Sequence, residues 1–299
     1  MKNMKNMKKV DIIGIQMDLG ASKRGVNMGP AAIRHADIFA KLDDMGIDWR
    51  DKGDIIPQMD GESKPGLKHC GQIVEANARL YSEVLESLKG GRMPIVLGGD
   101  HSVAAGSVPA AVRHLGAVGV IWIDAHGDFN NRQSSPSGNM HGMPFSAVCG
   151  CGPEEMMPYG PYFADPRHAV QIGARDVDAV ERQRLREAGV TVFSITEIDR
   201  MGLAHVVSRA IEIAGAGTQG IHVSFDIDAV TPDEAPGVGT PVHSGLTVRE
   251  AFLAMEMLYE CRQVCSMDMV EVNPILDIQN KTGNLACELI LSLLGKTVF

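Results

Sequence analysis

The feature that most restricts the fold is a series of short β-branched runs, most of them continuous rather than alternating in hydrophobicity. They occupy residues 10–16, 94–97, 118–124, 169–173, 190–195, 220–226 and 264–272 and are rich in Val and Ile. A strand with one wet face alternates apolar and polar positions, whereas a strand buried on both faces need not. Sheets covered on both faces are typically parallel, with crossover helices as the cover. Helical patterns fill the gaps between the runs, at residues 30–44, 72–89, 178–188 and 204–214. The expected fold class is therefore α/β, a parallel sheet with helices on both sides. Two local signals agree: Thr247 and Glu250 form a capping box ahead of Phe252, Leu253 and Met257, and Pro30 suits a first helical turn. No repeat or linker-like stretch interrupts the pattern, so residues 1–299 read as one domain. The segments 130–142 and 150–167, rich in Gly, Pro, Ser and Asn, read as long loops, which in such folds carry function at the carboxyl ends of strands.

Apolar residues make up 44% of the chain and charged residues 22%, a globular composition that excludes disordered and low-complexity classes. The cysteines Cys70, Cys149, Cys151, Cys261, Cys265 and Cys287 show no C-x-x-C pair and no disulfide-framework spacing, so reduced thiols are expected. Residues 1–9 are basic, but the apolar stretch that follows covers only residues 12–15, too short for a signal-peptide core. No apolar run is long enough to cross a bilayer, and a cytoplasmic location without membrane contact is the expectation. The formal net charge of -9 and the lack of a Lys/Arg stripe argue against nucleic acid as a partner and favour cationic ligands.

Three strand ends concentrate His and Asp: Gly98-Gly99-Asp100-His101-Ser102, Asp124-Ala125-His126-Gly127-Asp128 and Asp226-Ile227-Asp228. In an extended chain, residues two apart share a face, so Asp124, His126 and Asp128 can converge, as can Asp226 and Asp228. Carboxylates beside a covered sheet must be neutralised, and a metal does that. With His101, these groups number six, four of them carboxylates. Six ligands would saturate one octahedral ion and leave no open position, so two divalent ions fit better. Ligation by oxygen and imidazole without thiolate suits manganese over zinc or copper, while iron and cobalt stay open. Each segment alone has a duller explanation, Asp100 as a helix N-cap and Asp-x-Asp as the start of a loop. Their joint occurrence at three strand ends favours the metal.

The segments GGDHS, DAHGDFN, SGNMHG, SFDIDAVTPDEAPGVGTPVHSGLT and MVEVNP, in this order, resemble the ureohydrolase family and the arginases within it. The likeness runs from RGVNMGPAAIR near the start to NPILDIQNKT near the end. The resemblance implies a three-layer α/β/α sandwich around a mostly parallel sheet of about eight strands. It also implies two Mn²⁺ per subunit, the first held by His101, Asp124, Asp128 and Asp226, the second by His126, Asp124, Asp226 and Asp228. A hydroxide bridging the ions would attack the guanidinium of L-arginine and yield L-ornithine and urea. Asp128 would orient that hydroxide, His141 would serve as proton shuttle, and Glu271 would pair with the guanidinium, near which Thr240 lies. Asn130, Ser135 and Ser137 match positions for the α-carboxylate, and Asp178 and Glu181 match positions for the α-ammonium. The resemblance further suggests a homo-oligomer, trimer or hexamer.

Three departures from the family pattern stand out: Ser135 where Thr is frequent, Val230-Thr231-Pro232 in place of Leu-Asp-Pro, and His243-Ser244-Gly245 where a Gly-Gly ending is common. None removes a ligand; they bear on affinity and loop rigidity. Within the same chemistry, an agmatinase or another guanidino-compound hydrolase is the alternative, and such enzymes do not need the residues assigned to the amino-acid end. A metal-binding scaffold that only docks to a partner would be expected to lack a ligand, and none is missing. A deacetylase of related fold would use one zinc and a different ligand set.

Overall fold

The structure, a computed structural model, describes residues 9–58 and 61–297; residues 1–8 of the basic start lie outside the described residues. Eight strands form one sheet: β1 (Lys9–Ile15), β2 (Asp48–Ile55), β3 (Met93–Leu97), β4 (Gly119–Ile123), β5 (Ala169–Ala174), β6 (Thr191–Ser194), β7 (Ile221–Asp226) and β8 (Val264–Val270). Their spatial order is β2-β1-β3-β8-β7-β4-β5-β6, and every neighbouring pair is parallel. All strands therefore end on one edge of the sheet.

The helices are α1 (Gly29–His35), α2 (Ile38–Asp44), α3 (Cys70–Lys89), α4 (Ala104–Leu115), α5 (Pro144–Val148), α6 (Ala179–Ala188), α7 (Ile195–Met201), α8 (Leu203–Gly215), α9 (Val248–Glu260) and α10 (Lys281–Leu294). Alternate strand residues feed two separate cores. Ile12, Ile95, Ile121, Val223 and Met267 pack with Ile33, Val206, Leu258 and Ile290 of α1, α8, α9 and α10. Ile13, Val96, Val120 and Trp122 pack with Ile73, Val108 and Phe145 of α3, α4 and α5. The result is a three-layer α/β/α sandwich, in which the continuous apolar runs serve both faces.

The seven expected strands are present, and β2 is an eighth. It lies at the sheet edge, its residues Arg50 and Asp51 are exposed, and charged side chains there break the apolar signal. The helix expected over residues 30–44 is two helices, because Asp37 turns left-handed at φ 59° between α1 and α2. Pro30 sits in the first turn of α1, and the Thr247/Glu250 capping box opens α9. All six cysteines are free. No helix among the described residues is long and apolar enough to cross a membrane.

Candidate active site

The chemistry gathers where β3, β8, β7 and β4, four neighbours at the centre of the sheet, reach their carboxyl ends. After β3 the chain turns at Gly98 and Gly99. A Cβ on Gly99 would lie 1.8 Å from the Met17 carbonyl oxygen, so only glycine lets the two backbones approach. Asp100 then caps a single 3₁₀ turn, accepting from the Ser102 N–H at 3.0 Å and from the Gly20 N–H at 2.7 Å. The capping explanation for Asp100 holds; burial, then the charge of Glu271, pushes its carboxyl up to about 6. The same turn points His101 inward, between Trp122, stacked on it at 4.0 Å, and the carboxylates at the ends of β4 and β7.

Convergence of the ligands arises differently from the alternation expected of an extended chain. β4 ends at Ile123, and Asp128 reaches the cluster through a left-handed backbone at φ 50°. β7 ends at Asp226, whose Oδ1 caps the following 3₁₀ turn by accepting from the Asp228 N–H at 2.8 Å. Glu271 likewise lies just beyond β8 rather than within it, at φ 65°. The chain bends at each of these points so that the side chains meet.

Two groups of potential ligands result, His101, Asp124 and Asp128 in one, Asp124, His126 and Asp228 in the other. His101 Nδ1 stands 3.1 Å from Asp124 Oδ2, 3.1 Å from Asp128 Oδ2 and 3.3 Å from Asp226 Oδ2. His126 Nδ1 stands 3.5 Å from Asp124 Oδ1 and 3.1 Å from Asp228 Oδ2. Asp124 thus presents one oxygen to each group. Its orientation is fixed by the Trp122 indole N–H at 2.9 Å and the His126 backbone N–H at 2.7 Å.

These residues fit metal ions. His101 Nε2 lies 2.8 Å from Ser224 Oγ, while its Nδ1 is buried without a hydrogen-bond partner. With the proton on Nε2, the Nδ1 lone pair faces three carboxylate oxygens, acceptors against an acceptor, an arrangement that a cation between them satisfies. The surplus negative charge shows in the titration of the carboxyls. Burial, then the charge of Asp124, pushes Asp128 up to about 7, and burial with the charges of Asp228 and Asp124 raises Asp226 well above the carboxylate range.

Over this floor opens a cleft of about 190 Å³ whose lining includes His126, Asp128, Asn130, Ser135, Ser137, His141, Asp178, Glu181, Asp226 and Thr240. A second opening, lined by His141, Thr240 and Glu271, adjoins it. Glu271 Oε1 accepts from the His101 N–H at 3.0 Å and lies 3.0 Å from His141 Nδ1. Burial opposes charge on His141, but the hydrogen bond and charge of Glu271 outweigh it and push the imidazole up to about 9. Ser135 Oγ accepts from the Gly138 N–H and Ser137 Oγ from the Asn139 N–H, at 3.0 and 3.1 Å, which leaves each hydroxyl proton free to meet an anion. Asp178 stands at the N-cap of α6 but makes no capping bond with its side chain. Glu181 has a structural duty as well: its Oε1 accepts from the Phe129 N–H at 2.8 Å and from Asn130 Nδ2 at 3.1 Å, and burial pushes its carboxyl up to about 7. Thr240 Oγ1 donates to Asp228 Oδ2 at 3.1 Å.

Sequence reasoning missed several contributors. Asn139 and Asp176 line both openings, and Trp122 props two of the ligands. Arg175 hydrogen-bonds the carbonyls of Asp228, Ala229, Val242 and His243 at 2.7–3.0 Å and so ties the β7 turn to the 240–245 loop. Asn139 lies within the segment SGNMHG already noted, whereas nothing local marks Trp122 or Arg175 as a prop.

A family profile described as the Arginase family matches residues 8–295. The arginase of Brevibacillus brevis is 44% identical over 293 residues, covering 96% of this chain and 98% of that protein. A crystal structure of Bacillus subtilis arginase superposes with a TM-score of 0.93 at 43% identity, covering 98% of this chain and 100% of the other. The arginase of Entamoeba histolytica, solved in complex with L-ornithine, superposes with a TM-score of 0.89 at 28% identity over 97% of this chain and 99% of that one. Taken with the geometry at the ends of the central strands, these similarities establish that the chain belongs to the arginase family.

Proposed function

We propose that this protein hydrolyses L-arginine to L-ornithine and urea with two Mn²⁺ ions per subunit. The observation that carries the reading is Asp124, whose two oxygens divide between the His101 and His126 groups beneath a cleft that holds His141. His101, Asp124, Asp128 and Asp226 would hold one ion, His126, Asp124, Asp226 and Asp228 the other. Four carboxylates balance two divalent cations, and the oxygen-rich donor set suits manganese. When bound, such a pair lowers the pKa of water, so that a nucleophile able to attack a resonance-stabilised guanidinium carbon is available at neutral pH.

The chain's own residues do the rest. Glu271 pairs with the guanidinium and holds its carbon over the floor of the cleft, with Thr240 beside it. Asp128 accepts a hydrogen bond from the attacking water and aligns it. His141, carrying a proton at neutral pH, gives it to the nitrogen that leaves with ornithine. Asn130, Ser135 and Ser137 receive the α-carboxylate, and Asp178 and Glu181 the α-ammonium. A relative solved with L-ornithine, which has the same amino-acid end, supports a ligand of that class. The whole chain acts as one catalytic domain, and a cytoplasmic trimer or hexamer is the working form the resemblance implies.

Urea release from the manganese-loaded protein, measured with L-arginine and agmatine side by side, tests the substrate. Agmatine lacks the carboxylate and leaves polar groups unmet at about 1–3 kcal/mol each, so kcat/KM should favour arginine by about 10² or more. A preference for agmatine would refute the assignment.

A further inference from the structure

The cleft is strongly acidic where an amino acid must bind. Asp128, Asp176, Asp178, Glu181 and Asp226 line it, and no Lys or Arg does. The neutral donors Asn130, Ser135 and Ser137 can hydrogen-bond a carboxylate, but they carry no charge to offset Asp176, Asp178 and Glu181, the acidic neighbours outside the ligand set. Lys23 lines the adjoining opening together with Glu271, and beside the loop of Ser135 and Ser137 a second positive charge comes from the turn ahead of α3. There Lys64 and Leu67 exchange two backbone hydrogen bonds, and the Lys68 N–H donates to the Gly138 carbonyl at 3.0 Å, joining the turn to the loop that carries Ser135 and Ser137. Lys68 Nζ donates to Asn139 Oδ1 at 3.1 Å, and Asn139 Nδ2 is held by Ser22 Oγ at 2.7 Å, so the amide at the cleft wall is oriented from both ends. Two other cations nearby are already neutralised, since Glu155 pairs with both Arg132 and Lys64. Lys68 has no carboxylate partner among the described residues.

The geometry points to Lys68 as a specificity-determining residue for the carboxylate end of the substrate, a positive charge set behind Asn139 that selects amino-acid guanidines over decarboxylated ones. This rests on the arginase reading and extends it to a residue outside the lining of the cleft. The charge is exposed, so its effect is that of a solvent-screened pair, and it acts on binding rather than on the reacting atoms.

Urea release is measured for the manganese-loaded wild type, K68Q and K68R with L-arginine and agmatine, together with L-ornithine binding by calorimetry. K68Q should raise the KM for arginine about fivefold and weaken ornithine binding by the same factor, with kcat within about twofold. Agmatine kinetics should not change, and K68R should restore both arginine and ornithine. An unchanged arginine KM in K68Q, or an equal loss on arginine and agmatine, would overturn the proposal, the latter marking Lys68 as a prop of the loop. Ornithine binding keeps this test separate from the substrate reading. A wild type that prefers agmatine refutes the arginase assignment, while equal ornithine affinity in wild type and K68Q refutes Lys68.

Discussion

Asp128 and Glu271 hold left-handed backbones at φ 50° and 65°, conformations that side-chain-bearing residues adopt at a cost of about 1–2 kcal/mol each. The surrounding hydrogen bonds, such as the Glu271 N–H to the Gly99 carbonyl at 2.9 Å, hold that strain in place. Asp and His two apart at two strand ends, and His101 in the Gly98–Ser102 segment at a third, are visible in a sequence, so every proposed metal ligand was legible there. The bends were not, because nothing local in Gly127-Asp128-Phe129 or Val270-Glu271-Val272 announces a positive φ. His141 belongs to this scale too. Its ring bonds Glu271 and is not itself one of the proposed ligands, so His141→Asn should keep its manganese, by elemental analysis, while kcat falls about 10²–10⁴-fold in the urea assay. An unchanged kcat would remove it from the mechanism.

Among the elements, those with an unmixed signal were the legible ones. β4 is apolar throughout and reads directly as a strand, while β1 and β7 keep a dense Val, Ile and Phe content around Asp11, His222 and Ser224. α4 and α10 are buried nearly all round, and Gly106, Pro109 and Gly283 blur their helical pattern. The 240–245 loop shows what one of the family departures does. Ser244 sits at φ 62°, a conformation that glycine adopts freely, so serine there strains the loop that Arg175 clamps. Ser244→Gly should stabilise the protein by up to about 1 kcal/mol, less the extra chain entropy glycine carries when unfolded. A thermal melt should show this as a rise of about 1–2 °C with kcat/KM preserved, and a lowered Tm would refute the strain.

On the scale of the whole molecule, the four strands that supply the site lie side by side in space, yet their contributions range from His101 to Glu271 in sequence. Ions held at their ends bind the native state alone and so stabilise it by mass action, about 2.7 kcal/mol for a site at a hundred times its Kd. Chelation should lower Tm by about 5 °C or more, and added Mn²⁺ should restore both Tm and urea release; a melt indifferent to chelator would argue against ions at the strand ends. The hydrogen bond from the His101 N–H to Glu271 Oε1 joins positions 170 apart, and it ties the third strand to the last. During synthesis, therefore, a nascent chain exposes His101, Asp124 and His126 long before Glu271 leaves the ribosome. Every proposed ligand has been made once the chain reaches Asp228, yet β8, the last strand, lies between β3 and β7, so the segments that carry His101 and Asp226 stand in their native places only once it has inserted.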